Sequence, residues 1–343
     1  MCRGLSLDRP GEVRRRLWNL GRLVLSGKVG GFQYSSAFLE PLWQRHRARL
    51  RGHDVINCYQ VYPDSVLGDA AIAKWFYIDA TMTQVFDDQY SAKLPPAIKA
   101  KAIAREAKGY AVARGIVCHS HWAARSVCED YGIDPAKVHV VVPGANLPVA
   151  KTREFLAREA AAAPHESGPL RLAFVGRYWD RKGLDRLLAA IRIAQARGGT
   201  FALRVIGCER EGLPADLQDV PGVEWCGSIE KRAEAERFLE TVHWAEMGCL
   251  LSRHEFGGMV QREFAALGLV ALGPDVCGAP DHAGPGALLV GPEETPEAIA
   301  AHLLEMAKRG EAYHRLRAAA YARREEALWS SAMARVAAIV EAG

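Results

Sequence analysis

The chain has 343 residues, 49% hydrophobic and 24% charged. These are ordinary globular proportions, with length for about two domains. No apolar run reaches the roughly 18–20 residues of a membrane-spanning helix. The eight cysteines are scattered without a C-x-x-C pair, which argues against a disulfide framework and for a reducing, cytoplasmic setting.

The net charge of +4 conceals an asymmetry. Residues 1–51 carry 11 Lys/Arg against 3 Asp/Glu, and the remainder carries 33 against 37. The slightly acidic body disfavours nucleic-acid binding. The N-terminus shows no secretory pattern, because "LWNLGRLVLSGK" contains Asn19, Gly21 and Arg22 and has no small-residue cleavage site. From Glu12 to Leu25, Val13, Leu17, Leu20 and Val24 recur at helical spacing around Arg14–Arg16. The ordinary expectation is a helix packed on the core with a solvated basic face. The alternative is peripheral contact with an anionic membrane.

Strands and helices alternate from about residue 54. "DVINCYQ" (54–60), "KWFYID" (74–79), "GIVCHS" (115–120) and "VHVVVP" (138–143) read as strands, with helices over 97–112 and 121–131. The Pro-, Gly- and Ala-rich stretch after Pro143 reads as a linker plus a helix. A second series follows at 170–176, 201–207, 223–225, 247–252, 269–273 and 287–290. Continuous apolar strands alternating with helices predict two doubly wound α/β domains built on parallel sheets. Ligands of such sheets sit outside the carboxyl ends of the strands, which predicts a site in a cleft between the two domains.

Four strand ends in the second series draw notice. After Gly176 come Arg177 and Lys182, beside a helix expected near Gly183. Two cations at a helix N-terminus suit a diphosphate. Gly207 ends "VIG", where a ligand could approach the backbone, although a plain turn is the commoner reason for glycine. Gly227–Lys231 forms a strand-to-helix loop, a place where backbone groups can take a flat base. The fourth is "SRHEFGGMVQREFAALG", residues 252–268. Here Glu255 falls in the loop, and Gly257, Gly258 and Met259 offer amides to a phosphate at the start of a helix ended by Gly268. Glu263 lies two turns along, and a carboxylate suits a vicinal diol such as that of a ribose. The plainer reading is one glutamate favoured by the helix dipole and one solvated.

Taken together, VGR-x4-KG, IG, CG-x-I-x-K and SR-x-EFGG-x4-EFAALGLVALG resemble the retaining glycosyltransferases of family 4, with the E-x7-E element at Glu255 and Glu263. "YIDATMTQVFDDQY" and "HSHWAARSVCEDYGIDPAKVHVVVPGAN" resemble a bacterial branch with DAT and GAN elements. The resemblance covers about residues 54–343. It implies a GT-B fold: an acceptor-side domain over 1–163, a nucleotide-sugar domain over 164–320, and a C-terminal segment over 321–343 that crosses back.

The resemblance also implies roles. Arg177 and Lys182 would hold the donor diphosphate and stabilise the leaving group. Glu255 would bind sugar hydroxyls, with Phe256, Gly257, Gly258 and Met259 near the sugar and phosphate. Glu263 would bind the ribose. Further nucleotide-sugar contacts would come from Gly176, Gly207, Gly227, Ile229 and Lys231. No metal or other cofactor is expected, and the anomeric configuration would be retained by same-face attack. The donor would be UDP- or GDP-linked, and the acceptor a sugar or a lipid-linked glycan.

Two departures stand out. The chain begins without the strand and glycine-rich loop usual in the family, so the first β-loop-α unit is absent or heavily altered. Where relatives carry a histidine facing the donor sugar, this chain has Asp79, which could contact sugar or acceptor, or cap a helix. Cys118 and His119 are neighbours in a strand and point to opposite faces, so a shared metal is not expected. Cys277 and His282 read as loop residues. Competing functions are a nucleotide-sugar epimerase of the same fold and a catalytically silent nucleotide-sugar-binding protein.

Overall fold

The computed structural model describes residues 12–26, 30–58, 61–87, 94–159 and 167–343. The chain divides into two compact units, one of Met1–Val141 with Val336–Gly343 and one of Val142–Arg335.

The first unit is built on four parallel strands in spatial order β1 (Asp54–Asn57), β2 (Ala73–Ile78), β3 (Gly115–Cys118) and β4 (Val138–Val140). Trp75, Phe76, Tyr77 and Ile78 of β2 are all buried, the pattern of a strand covered on both faces. Beneath them runs an aromatic row, Trp43–Tyr62–Phe76–Tyr110–Tyr131, with successive ring centroids 4.9–5.1 Å apart. The Tyr62 hydroxyl shares its proton between the carbonyls of Val55 and Trp75, so the polar end of this buried ring is satisfied. Among the described residues everything before β1 is helical or irregular. The expected strands over 54–60 and 138–143 end earlier, at Asn57 and Val140; residues 59 and 60 lie outside the described residues. The expected helices appear as Pro96–Val112 and His121–Glu129, the second capped by Ser120, whose hydroxyl accepts from the Ala123 amide.

The N-terminal helix Glu12–Ser26 forms, but it reverses the packing expected of it. Val13, Leu17, Leu20 and Val24 face solvent, while Trp18, Asn19 and Arg22 are half-buried.

The second unit holds β5 (Leu170–Val175), β6 (Phe201–Ile206), β7 (Val223–Trp225), β8 (Met247–Cys249), β9 (Val270–Pro274) and β10 (Ala287–Val290), all parallel. Their spatial order is β10-β9-β8-β5-β6-β7. Read from β7, this is the 3-2-1-4-5-6 order of a dinucleotide-binding fold, with its topological switch between β5 and β8. Helices Leu184–Ala196 and Pro296–Ala307 pack together over the core. The helix expected in the linker spans Val149–Glu159; residues 160–166 lie outside the described residues.

The strand expected over 247–252 stops at Cys249 for a visible reason. The Leu250 amide still donates to Leu272, but the Leu251 amide turns to the Lys182 carbonyl and the Arg253 amide to the Arg181 carbonyl. The loops after β5 and β8 are thereby tied together. Gly183 (φ +71°) makes this contact feasible, since a Cβ there would lie 2.0 Å from the Leu251 carbonyl oxygen.

Candidate functional site

The switch between β5 and β8 is where the fold itself calls for a ligand, and the expected residues converge there. Arg177 follows β5 and is exposed, with no salt bridge among the described residues. Lys182 lies in a single helical turn, Trp179–Lys182, and its ammonium pairs with the Glu255 carboxylate. Ser252 Oγ donates to the same carboxylate at 3.0 Å. Glu255 is therefore not an ordinary helix-terminal glutamate at the surface. It is 8% exposed and held by a cation and a hydroxyl.

The second glutamate is deeper. Glu263, in the helix Met259–Ala266, is 1% exposed. Its Oε1 takes Lys231 Nζ at 2.5 Å, and its Oε2 is buried with no hydrogen-bond partner among the described residues. Burial raises its pKa, opposed by Lys231 and then by Lys182. The solvated second glutamate of the plainer reading is overturned: a two-turn offset puts Glu263 on the inner face of this short helix. The helix starts at Met259, as the Gly-Gly step suggests. The Met259 amide, however, donates to the Gly257 carbonyl at 2.8 Å, so it is not held open for a phosphate.

Beside these pairs lies a cavity of about 610 Å³, walled by Gly176, Arg177, Gly207, Ile229 and Lys231 of the expected set. Gly207 (φ +91°) is more than a turn residue, because a Cβ there would lie 2.7 Å from the Gly176 carbonyl oxygen. Its amide donates to the Gly227 carbonyl, which stacks the three glycine-bearing loops side by side. Asn146, Ser228, Glu230, Arg232, Phe238 and Val260 also line the cavity; Ser228 and Glu230 fall inside the expected Gly227–Lys231 loop, and the other four were not expected. Asn146 sits inside the GAN element, which was its only signal. Arg232 is brought in where the loop closes on itself, with Glu230 accepting from the Arg232 and Ala233 amides, and Phe238 and Val260 come from the helices that flank the cavity.

Asp79 belongs to the first unit, just past the carboxyl end of β2. The helix-capping reading of it is overturned. The following helix, Met82–Asp87, is capped by Thr81, whose hydroxyl accepts from the Gln84 amide while Gln84 Oε1 accepts from the Thr81 amide, a capping box. The next two amides are taken by Glu106 and by the Tyr131 hydroxyl. Asp79 is left to its own and the Ala80 amides, and burial raises its pKa. His119 follows β3, with its ring 4.3 Å from that of Tyr77, and burial lowers its pKa to about 4. Of the two residues read as loop, Cys277 is in a turn at φ +49°. His282 is instead fully buried in the short helix Ala279–Ala283. Among the described residues no cluster of three or more His, Cys, Asp or Glu side chains is arranged to hold a metal ion. Among the described residues seven cysteines are free thiols, and no helix is long and apolar enough to cross a membrane.

The second unit thus sets two lysine–glutamate pairs at the switch point of a parallel α/β sheet, and comparison with known proteins bears on what such an architecture is. Residues 169–309 match the family model described as Glycosyl transferases group 1. D-inositol 3-phosphate glycosyltransferases are similar in sequence. That of Salinispora arenicola is 28% identical over 300 residues, covering 81% of this chain and 65% of the relative. That of Thermobispora bispora is 28% identical over 242 residues, covering 66% and 56%. The chain thus spans somewhat under two thirds of these relatives.

Among solved structures, the sucrose-phosphate synthase of Thermosynechococcus elongatus aligns with a TM-score of 0.65 at 16% identity, covering 92% of this chain and 79% of that one. WaaG, a glycosyltransferase of lipopolysaccharide biosynthesis, aligns at 0.60 and 15%, covering 89% and 82%. Anabaena HepE, solved with UDP-glucose, aligns at 0.54 and 12%, covering 79% and 73%. The fold is GT-B, with two parallel-sheet Rossmann-like units, and residues 169–309, within the second unit, are the part that matches the group 1 model.

Proposed function

We propose that the protein transfers a hexose-type sugar from a UDP- or GDP-linked donor to a hydroxyl acceptor in glycan, polysaccharide or glycolipid synthesis, with retention of configuration and without a bound metal. The observation that carries this reading is Glu263: a buried carboxylate with one oxygen fixed by Lys231 and the other open, next to a cavity lined by Arg177 and Lys231. A ribose diol would satisfy that open oxygen. The stacked loops at Gly176, Gly207 and Gly227–Lys231 would receive phosphates and base. Glu255, already paired with Lys182, would accept from sugar hydroxyls.

In the reaction, the acceptor oxygen bonds to the anomeric carbon as the bond from that carbon to the diphosphate breaks. The departing phosphate oxygen takes the acceptor's proton on the same face. Arg177 and Lys182 would meet the growing negative charge, and such fixed cations stabilise the transition state, in which the diphosphate gains charge, more than they do the less charged ground state. A cytoplasmic location suits the free thiols.

The helical stretch before β1 supports a second reading, a nucleotide-sugar-binding protein that does not turn over. Thermal shift against UDP-, GDP-, ADP- and TDP-sugars, with Glu263→Ala as control, tests the donor site; hydrolysis of the stabilising donor then separates the two readings. Stabilisation by one nucleotide class that vanishes in the variant, together with slow hydrolysis, is the expected result. Stabilisation without any hydrolysis would favour the silent protein, and no shift with any donor would sink both.

A further inference from the structure

The helix Glu12–Ser26 is amphipathic in the opposite sense to a core helix. At about 100° per residue, Val13, Leu17, Leu20 and Val24 fall within one narrow stripe. That stripe is bare: the four side chains are 69, 65, 60 and 78% exposed, and Leu23 at its edge is 51% exposed. The other side of the helix holds it to the protein. Trp18 Nε1 donates to the Gly30 carbonyl at 3.1 Å, and its ring lies 5.9 Å from that of Phe32. Asn19 Oδ1 accepts from the Gly30 amide at 3.2 Å. An amphipathic helix normally buries its aliphatic stripe. This one is anchored by an indole and an amide and carries its aliphatic stripe outward, so the stripe is available to another apolar medium.

The charges beside the stripe choose the medium. Arg14 lies on one flank and Arg16 on the other, both exposed. Glu12 is the only acid from residue 12 to residue 26. A second copy docked on this face would bring arginines against arginines. An anionic bilayer offers acyl chains to the valines and leucines and phosphate oxygens to the arginines on both flanks, which is the arrangement of an interfacial helix lying in the membrane plane. The surplus of positive charge in residues 1–51 has the same sense.

We propose that this face docks the protein on an anionic phospholipid surface, with the stripe Val13–Leu17–Leu20–Val24 entering the headgroup boundary and Arg14 and Arg16 flanking it. The inference does not depend on the chemistry of the second unit.

The test is co-sedimentation of the full chain with vesicles of mixed phosphatidylglycerol and phosphatidylcholine, and with phosphatidylcholine alone. Binding is expected on the mixed vesicles, weaker on the neutral ones, and decreasing with salt. Leu17→Asp with Leu20→Asp should lower partition by about tenfold or more with an unchanged melting temperature, since neither side chain is packed. Arg14→Gln with Arg16→Gln should remove the preference for anionic lipid. The proposal is overturned if the chain binds neither vesicle, if it binds both equally, or if the leucine variant binds like wild type. It is equally overturned if light scattering shows a dimer that the leucine variant abolishes, because the stripe would then be covered by a second copy.

Discussion

Lys231 Nζ stands 2.5 Å from Glu263 Oε1, so the deepest carboxylate of the donor-side site meets its counter-charge at the cavity wall. Lys231 is 26% exposed and Glu263 only 1%. The pair joins a solvent-reaching ammonium to a buried carboxylate, whose Oε2 has no hydrogen-bond partner among the described residues.

Glu263→Gln keeps the volume and removes the charge. Hydrogen bonds to a charged group are worth about 1.5–3 kcal/mol, so donor nucleotide affinity should fall roughly ten- to hundredfold in calorimetry. The melting temperature should hardly change, because Lys231 reaches solvent and the desolvation cost of the buried carboxylate disappears with it. Unchanged affinity would remove Glu263 from the ribose.

Arg177 and Lys182 should separate cleanly. Arg177→Ala removes an exposed side chain, so stability should stay within about 0.5 kcal/mol while donor hydrolysis or transfer falls about a hundredfold or more. Lys182→Ala leaves Glu255 buried with Ser252 as its remaining bonded side chain, so it should lose both turnover and roughly 2–3 kcal/mol of stability. Equal melting temperatures for the two variants would contradict the ion pair.

Gly183→Ala tests the seam between the loops. The new methyl would meet the Leu251 carbonyl at 2.0 Å with φ at +71°, and a backbone oxygen cannot swing aside. More than about 2 kcal/mol should be lost in urea unfolding. Gly227→Ala is the control, because at φ +67° it faces open space; it should cost about 1 kcal/mol.

Glu106 makes a pH prediction. Its carboxylate accepts from the Met82 amide and from the hydroxyls of Tyr131 and Tyr110. Burial nevertheless pushes its pKa from 4.5 up to about 7. An acid with a raised folded pKa contributes its stability in full below the unfolded value and loses it as pH rises through the folded one. The stability of wild type relative to Glu106→Gln should therefore decline from about pH 4.5 to above 7, by on the order of 3 kcal/mol. His119, lowered to about 4, acts in the opposite sense: its contribution is full above pH 6.5 and lost as pH falls through 4. Denaturant midpoints measured across this range would show a flat difference if Glu106 were water-exposed in the folded state.

Much of this protein could be read from its sequence. Each β-strand is a short apolar run between breakers, and a strand covered on both faces has no other way to be written, so β5 through β10 fall within a residue or two of expectation except where β8 ends. The E-x7-E spacing announced its helix, because Gly258 and Gly268 bracket it. Local patterns set these features, and local patterns are what a sequence displays.

Tertiary structure decided the rest, because the energies involved act between residues far apart along the chain. Lys182 finds Glu255 across 73 positions and Lys231 finds Glu263 across 32, and no spacing rule says which cation a buried carboxylate will choose. Thr81 rather than Asp79 caps the helix after β2 because Gln84 and Glu106 complete the set of amide partners there. The aliphatic stripe of Glu12–Ser26 was legible as periodicity, but its direction was not. A period of 3.6 residues fixes which side chains share a face, and only the anchoring of Trp18 and Asn19 to Gly30 determines that this face looks outward.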